Sequence, residues 1–167
     1  WLGHEATAVL DGGLQQWQRP LESGAPQTPN PSDYQPKQSL TRLWQVQDVE
    51  HNLSQPTHLL VDARSAERFR GEQEPIDPVA GHIPSAICLP CTDNLAPSGL
   101  FKTAEDLRQR FADLLNTHTV CYCGSGVTAT HNILAMRLAG LAEPVLYADS
   151  WSGWITDSHR PIALSDT

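Results

Sequence analysis

Short apolar runs separated by segments of helical period are the feature that most constrains the fold of this chain. Runs suited to buried strands occupy residues 59–62, 86–89, 120–123 and 145–147, and helical periodicity lies between them. Such an alternation produces parallel strands joined through helices, because each crossover helix covers one face of the sheet. The sequence therefore predicts an α/β fold, with a mainly parallel sheet, helices on both faces and a ligand site at the carboxyl ends of the strands.

Cys123 stands where one of these strands ends and a glycine-rich loop, residues 124–128, leads toward the next helix. Glycines leave the backbone N–H groups of such a loop accessible, and the dipole of the following helix favours negative charge there. A thiol in this place is expected to ionise more readily than a free cysteine, which makes it a nucleophile at neutral pH. Cys123 is therefore the predicted reactive residue, and a buried structural thiol is the alternative.

Charge and composition exclude several partners. The chain has 11 Lys and Arg against 19 Asp and Glu among 167 residues, and its net charge of −8 disfavours nucleic acid and acidic membrane surfaces as partners. No apolar run approaches the ~20 residues that a membrane-spanning helix needs. The length suits one well-buried domain with a flanking segment. Because the chain opens at Trp1 without a signal-peptide pattern, we expect a piece of a longer, cytoplasmic protein.

The four cysteines could suggest two disulfides or a zinc site, because they form two close pairs in sequence. Cys88 and Cys121, however, lie inside apolar runs, where cysteine is a common small core residue. We therefore predict no metal, and free thiols in a reducing compartment. Cys121 is expected to be a core thiol and not a partner of Cys123.

Proline marks a boundary near the start of the chain. Five prolines lie between Pro20 and Pro36, together with polar residues and little periodicity, which is typical of an extended linker. Before it, residues 8–17 predict a short strand, a turn and one or two helical turns. After it, Ser39 or Thr41 is expected to cap the first helix of the globular domain, and Ser65 is expected to cap a later, short helix.

Four separated motifs carry a resemblance to a known family: residues 61–64 with 68–71, then 81–86, 123–128 and 149–154. In order and spacing they resemble the rhodanese-type sulfurtransferases, and specifically the C-terminal half of a two-domain member. Residues 9–17 look like the closing motif of a preceding rhodanese domain. The resemblance implies a domain remnant over 1–19, a linker over 20–38 and a catalytic rhodanese domain over 39–167.

By resemblance, Cys123 takes up a sulfane sulfur as a persulfide, which a thiol, cyanide or thioredoxin-like acceptor then removes. No cofactor is implied. The uncharged pair Gly124 and Ser125 looks like the loop of 3-mercaptopyruvate sulfurtransferases, whereas thiosulfate-using relatives tend to have basic residues there. The implied donor is thus 3-mercaptopyruvate, with thiosulfate as the alternative, and a small anionic donor would contact residues of the loop and one upstream cation: Arg68, Gly124, Ser125, Gly126, Val127 and Thr128.

One departure from the family pattern concerns a second arginine for the substrate carboxylate, whose place is held by Ile76. Arg70, Arg64 or a residue of the missing N-terminal domain could compensate. A cysteine-dependent phosphatase is excluded because Ala129 stands where such an enzyme needs arginine. A noncatalytic rhodanese-like binding module remains the rival hypothesis.

Several other residues of these motifs are expected to be structural. His82 is predicted to bond loop backbone, and Asp62 is predicted to pair with Arg64. Trp151 and Trp154 are predicted to lie in the core, and Thr128 is expected to cap the helix that follows the cysteine loop.

Overall fold

The computed structural model describes residues 2–25 and 30–165, and the chain divides into two compact units, Trp1–Leu40 and Thr41–Thr167. In the described part of the first unit, the only helical turn is a 3-10 helix, Gly13–Gln16, that buries none of its residues. The short strand predicted at the start of residues 8–17 is wrong, because residues 8–10 are exposed and form no ladder. Residues 26–29 of the predicted linker lie outside the described residues.

The second unit contains a five-stranded sheet whose pairings are all parallel. Its order is β1-β5-β4-β2-β3, with strands β1 Leu43–Trp44, β2 Leu59–Asp62, β3 Ile87–Cys88, β4 Thr119–Tyr122 and β5 Val145–Tyr147. Five α-helices accompany it: α1 Val46–Ser54, α2 Ala66–Arg70, α3 Ala104–Arg110, α4 Ala129–Leu138 and α5 Ser150–Trp154. Short 3-10 helices occupy Cys91–Asn94 and Ala112–Leu114. The predicted α/β fold with a parallel sheet is confirmed.

Two apolar layers lie on the two faces of the sheet, because successive residues of the central strands point in opposite directions. One layer includes Val61 and Cys121 and takes core side chains from α3 and α4. The other includes Leu60 and Val120 and takes core side chains from α1 and α5. Among the latter are the two tryptophans predicted to lie in the core, and both are fully buried: Trp151 and Trp154.

The helix starts show where local sequence was decisive. Helix α1 begins after Gln45, which forms a capping box with Asp48, so the predicted caps at Ser39 or Thr41 are wrong. Leu43 and Trp44, which lie between Thr41 and Gln45, instead form the edge strand β1 and pair with β5. Ser65 caps α2 by accepting a hydrogen bond from the N–H of Arg68, as the sequence predicts.

The register of the strands places the cysteine loop, residues 124–128, at the carboxyl ends of the central strands. Tyr122 pairs with Asp62, and the N–H of Ala63 extends the ladder by donating to the Tyr122 carbonyl at 2.9 Å. Cys123 is therefore the first residue beyond β4, at the carboxyl end where ligands of parallel sheets bind. Across the described residues, no helix is both long and apolar enough to cross a membrane.

Candidate active site

A cavity of about 200 Å³ opens at the carboxyl end of β4. Cys123 and five of the six predicted substrate-binding residues line it, and the sixth, Gly126, does not. The other lining residues come from the loop after α2 and from α5: Ile76, Asp77 and Ser152. The structure thus brings the predicted reactive thiol and the predicted upstream cation, Arg68, to one pocket.

Cys123 is held from below by the start of α5. Its N–H donates to Ser150 Oγ at 3.0 Å, and its carbonyl accepts the N–H of Trp151 at 3.0 Å. Only 2% of the residue is exposed, so the thiol is reached through the cavity. Ser150 is fully buried with a left-handed φ of 54°, and its role was missed in the sequence although its motif, 149–154, was recognised.

The loop that follows presents a set of amide donors. Within the described chain, the N–H groups of residues 124–128 have no hydrogen-bond partner, while the carbonyls of Cys123 and Gly124 accept bonds from α5. Four of these five residues line the cavity. Unpaired amides in a tight turn of this kind form a concavity that binds anions.

Gly126 shapes this loop without lining the cavity. Its φ is 79°, in the left-handed region, and a Cβ at this position would collide with the carbonyl oxygen of Ala148. Thr128 precedes α4 but makes no capping hydrogen bond with its side chain, so the predicted cap is wrong. Burial and the charge of Cys123 raise the pKa of the nearby Cys91 thiol, although the Thr128 side chain acts to lower it.

Arg68 reaches the cavity as an already partnered cation. Its Nε donates to both carboxylate oxygens of Glu74 at 3.0 Å, and its Nη2 donates to Glu74 Oε1 at 2.7 Å and to Asp77 Oδ2 at 3.0 Å. Nη1 has no hydrogen-bond partner among the described residues. A Cβ built on Gly124 would lie 3.6 Å from Nη1, so this nitrogen borders the loop.

Glu74 holds this arrangement in place from the interior. Only 4% of its side chain is exposed, and it contacts Arg64 as well as Arg68. Burial acts to raise the pKa of Glu74, but hydrogen bonds from Arg68 and from the N–H groups of Asp77 and Ile76 outweigh it and lower the pKa below the ordinary value. The carboxylate is therefore charged beside the pocket at neutral pH.

The other candidate cations do not line the cavity. Arg64 is buried and binds Asp62 at 2.7 Å and the carbonyl of Gly81 at 2.6 Å, which confirms its predicted structural role. Arg70 pairs with Glu72 near the surface. Ile76 lines the cavity with 74% of its surface exposed and brings no charge. Neither arginine replaces the second arginine of the family pattern.

Two cavity residues were missed in the sequence. Asp77 accepts hydrogen bonds from Arg68 and from Ser152 Oγ, the latter at 2.7 Å. Asp77 follows Ile76, which holds the place of the second arginine, and Ser152 belongs to the recognised motif 149–154. Both residues therefore lie in or next to positions that the family pattern marks, but the sequence did not show what each of them does. Only the fold brings these two residues together, since they are 75 positions apart.

The remaining predictions concern residues outside the cavity. None of the four cysteines, all of them in the described residues, forms a disulfide. Cys121 is fully buried, and burial together with the charge of Cys123 raises its pKa to about 12, as expected of a core thiol. His82 bonds the carbonyl of Phe69 through Nδ1 at 2.7 Å, which confirms its predicted backbone contact.

The chain is similar in sequence to several known proteins. The chain is 48% identical over 99% of its length to a probable 3-mercaptopyruvate sulfurtransferase of Pseudomonas aeruginosa, and 39% identical over 98% of its length to 3-mercaptopyruvate sulfurtransferase of Homo sapiens. It covers 61% and 58% of those proteins, so the chain spans about three fifths of the length of these curated relatives.

A solved structure shares the fold. An EanB variant in complex with ergothioneine matches 98% of this chain with a TM-score of 0.86, at 21% identity, and the match covers 42% of that protein. The profile of the family described as "Rhodanese-like domain" matches residues 45–157, which include strands β2 to β5 and all of the cavity residues. The chain therefore belongs to the rhodanese-like domain family.

Proposed function

We propose that this chain carries the catalytic domain of a sulfurtransferase that takes sulfur from 3-mercaptopyruvate onto Cys123. The observation that carries the proposal is the position of Cys123 at the base of a cavity beside a loop of unpaired amide donors. A core thiol needs no such donors, whereas an anionic persulfide does. The names of the similar proteins from Pseudomonas aeruginosa and Homo sapiens support the same activity.

The first step is attack by the Cys123 thiolate on the sulfur of the donor. A sulfur–sulfur bond forms while the carbon–sulfur bond of 3-mercaptopyruvate breaks, and the electron pair stays on carbon as the enolate of pyruvate, which takes up a proton. The amides of residues 124–128 then stabilise the negative persulfide. The Nη1 group of Arg68 is placed to bind the donor carboxylate, and the exposed Ser125 hydroxyl can donate to its carbonyl or carboxylate.

The second step returns the cysteine to its starting state. A nucleophilic acceptor, such as cyanide, a small thiol or a thioredoxin-like protein, attacks the outer sulfur of the persulfide. The sulfur–sulfur bond breaks and its electron pair returns to Cys123 as thiolate. With cyanide the product is thiocyanate, so the reaction requires no external oxidant or reductant.

The choice of donor rests on charge. Thiosulfate is a compact dianion and gains most from basic residues in the loop, but Gly124 and Ser125 are uncharged. The one cation that the described residues bring to the cavity, Arg68, is paired with two carboxylates. These features favour the monoanionic 3-mercaptopyruvate over the alternative donor, thiosulfate.

The wider protein is part of the proposal. Because the relatives are longer than this chain, we assign residues 1–19 to the end of a preceding rhodanese domain, residues 20–38 to a linker and residues 39–167 to the catalytic domain. The preceding domain would complete the pocket. Four cysteines without a disulfide support a reducing compartment such as the cytoplasm.

Intact-mass measurement of the full-length protein after treatment with 3-mercaptopyruvate tests the proposal. The wild type should gain one sulfur, the Cys123→Ser variant none, and the matched Cys121→Ser variant one. Loading of the Cys123→Ser variant would move the site to another cysteine. A wild type that takes sulfur from neither 3-mercaptopyruvate nor thiosulfate would identify the chain as a noncatalytic binding module.

A further inference from the structure

We infer that Asp77 is a specificity-determining residue, which selects donors of low negative charge by holding down the positive potential of Arg68 in the cavity. The inference rests on the proposed function and deepens it. The feature that motivates it is the excess of carboxylates over cations at a pocket meant for anions.

Asp77 is fixed between two residues that line the cavity. Its Oδ2 accepts a hydrogen bond from Arg68 Nη2 at 3.0 Å, and its Oδ1 accepts one from Ser152 Oγ at 2.7 Å. Its own N–H donates to Glu74 Oε1 at 3.1 Å, and only 8% of its side chain is exposed. The carboxylate therefore stays within contact of the guanidinium when a donor enters.

The local charges do not balance. Arg68 supplies one positive charge, whereas Glu74 and Asp77 supply two negative charges on its Nε and Nη2 edge. Glu74 also contacts Arg64, whose charge is shared with Asp62. Asp77 contacts no cation but Arg68 among the described residues, so its charge is the one that reduces the field of Arg68 inside the cavity.

This arrangement distinguishes ligands by their charge. One carboxylate can be met by Arg68 Nη1 and the loop amides, but a second negative charge also meets the field of Asp77. The repulsion energy scales with ligand charge, so a dianion pays twice what a monoanion pays. Asp77 therefore disfavours thiosulfate more strongly than 3-mercaptopyruvate.

The test uses Asp77→Asn in the full-length protein, because asparagine keeps the shape and can still accept hydrogen bonds. Asp113→Asn is the matched control, since Asp113 is exposed and does not line the cavity. With cyanide as the common acceptor, we expect kcat/KM for 3-mercaptopyruvate to rise by about three- to tenfold, chiefly through KM. The factor for thiosulfate should be about the square of that for 3-mercaptopyruvate, and the control should change neither.

Alkylation of Cys123 gives a second readout that needs no sulfur donor. Iodoacetate is an anion and iodoacetamide is neutral, so the ratio of their rate constants at Cys123, followed by peptide mass spectrometry, reports the potential in the cavity. Asp77→Asn should raise this ratio by about three- to tenfold relative to Asp113→Asn.

The outcomes separate the two proposals. An unchanged alkylation ratio overturns the inference whatever the enzyme does. A fall in kcat/KM for both donors also overturns it, because Asp77 would then serve to position Arg68 and not to mask it. If the wild type transfers sulfur from neither donor while the ratio rises as expected, the proposed function fails and the masking by Asp77 stands.

Discussion

Cys121 and Cys123 lie two residues apart and pack into the same apolar layer of the sheet, yet their surroundings differ completely. Cys121 is inside β4 with the ladder on both sides, whereas Cys123 is the first residue beyond the strand and borders a cavity. The difference shows that the access of ligands to a thiol here depends on whether the cysteine lies within β4 or just beyond its carboxyl end.

Two arginines differ in the same way, one being buried in the interior and the other reaching the cavity. Arg64 lies two residues after the end of β2 and is enclosed by Asp62, Glu74 and a backbone carbonyl, with 1% of its side chain exposed. Arg68, one helical turn later, reaches the cavity with 16% of its side chain exposed. Cys123 and Arg68 thus each have a structural counterpart of the same type within four positions, Cys121 and Arg64.

The largest expected contrast is in thiol reactivity. With a pKa of about 12 against an ordinary value of 9.0, Cys121 should present about a thousandfold less thiolate than a free cysteine. Iodoacetamide at about pH 8 should label Cys123 in the folded protein and label Cys121 only after unfolding in urea. Peptide mass spectrometry would read the labelling. Equal labelling rates for both cysteines in the folded state would contradict the burial of Cys121 and the access to Cys123 described here.

The two arginines should separate stability from donor binding. Arg64→Ala leaves Asp62 buried without its partner, and we expect a loss of about 3–5 kcal/mol in the free energy of unfolding, measured in urea. Arg68→Ala should instead raise KM for 3-mercaptopyruvate by about ten- to a hundredfold, because a charged hydrogen bond is worth about 1.5–3 kcal/mol. Arg68→Lys, which keeps the charge, should recover part of the affinity. If Arg68→Ala left KM unchanged, the proposed carboxylate site would be wrong.

Two glycines of the cysteine loop sharpen the comparison further. Gly126→Ala should cost about 1–2 kcal/mol from its left-handed backbone, and more from the collision with the carbonyl of Ala148. In Gly124→Ala the new Cβ would meet Arg68 Nη1 at 3.6 Å, Arg68 Nη2 at 3.7 Å and Asp77 Oδ2 at 4.0 Å, which are ordinary contacts, so the fold should tolerate it. Urea unfolding of both variants, with sulfur loading as the second measurement, checks the difference. Equal stability of the two would show that the loop is not held in the geometry described.

The smallest effect is expected at Glu74, which touches both arginines. Because the pKa of Glu74 is lowered in the folded protein, its contribution to stability is present above its ordinary value of 4.5 and is lost as the pH falls through the folded value. Glu74→Gln should therefore be less stable than the wild type at neutral pH, by on the order of 1 kcal/mol. The gap should shrink on acidification, and a gap that widened toward low pH would contradict this sign.

The fold could be predicted because its signals are local. The apolar runs of β2, β4 and β5, the Ser65 cap and the glycine loop each carry their own pattern. The edge strand β1 was missed because two residues, Leu43 and Trp44, are too few to show a period, and their strand exists only through pairing with β5. The thiol, the loop and Arg68 were identified through motifs, but the place of Asp77 in the cavity depends on a hydrogen bond from Ser152 across 75 positions.

The hydrogen bonds between α5 and the cysteine loop have a further consequence for the energetics of sulfur uptake. Because α5 occupies the carbonyls of Cys123 and Gly124, the polarity of the loop is fixed before any ligand arrives. In the proposed transfer, the dipoles of the loop amides need not reorient when negative charge moves from thiolate sulfur to the outer sulfur of a persulfide, so we expect a small reorganisation energy. The loop should then keep one backbone conformation in its empty and sulfur-loaded forms. Only the donor and the acceptor would have to move during a cycle.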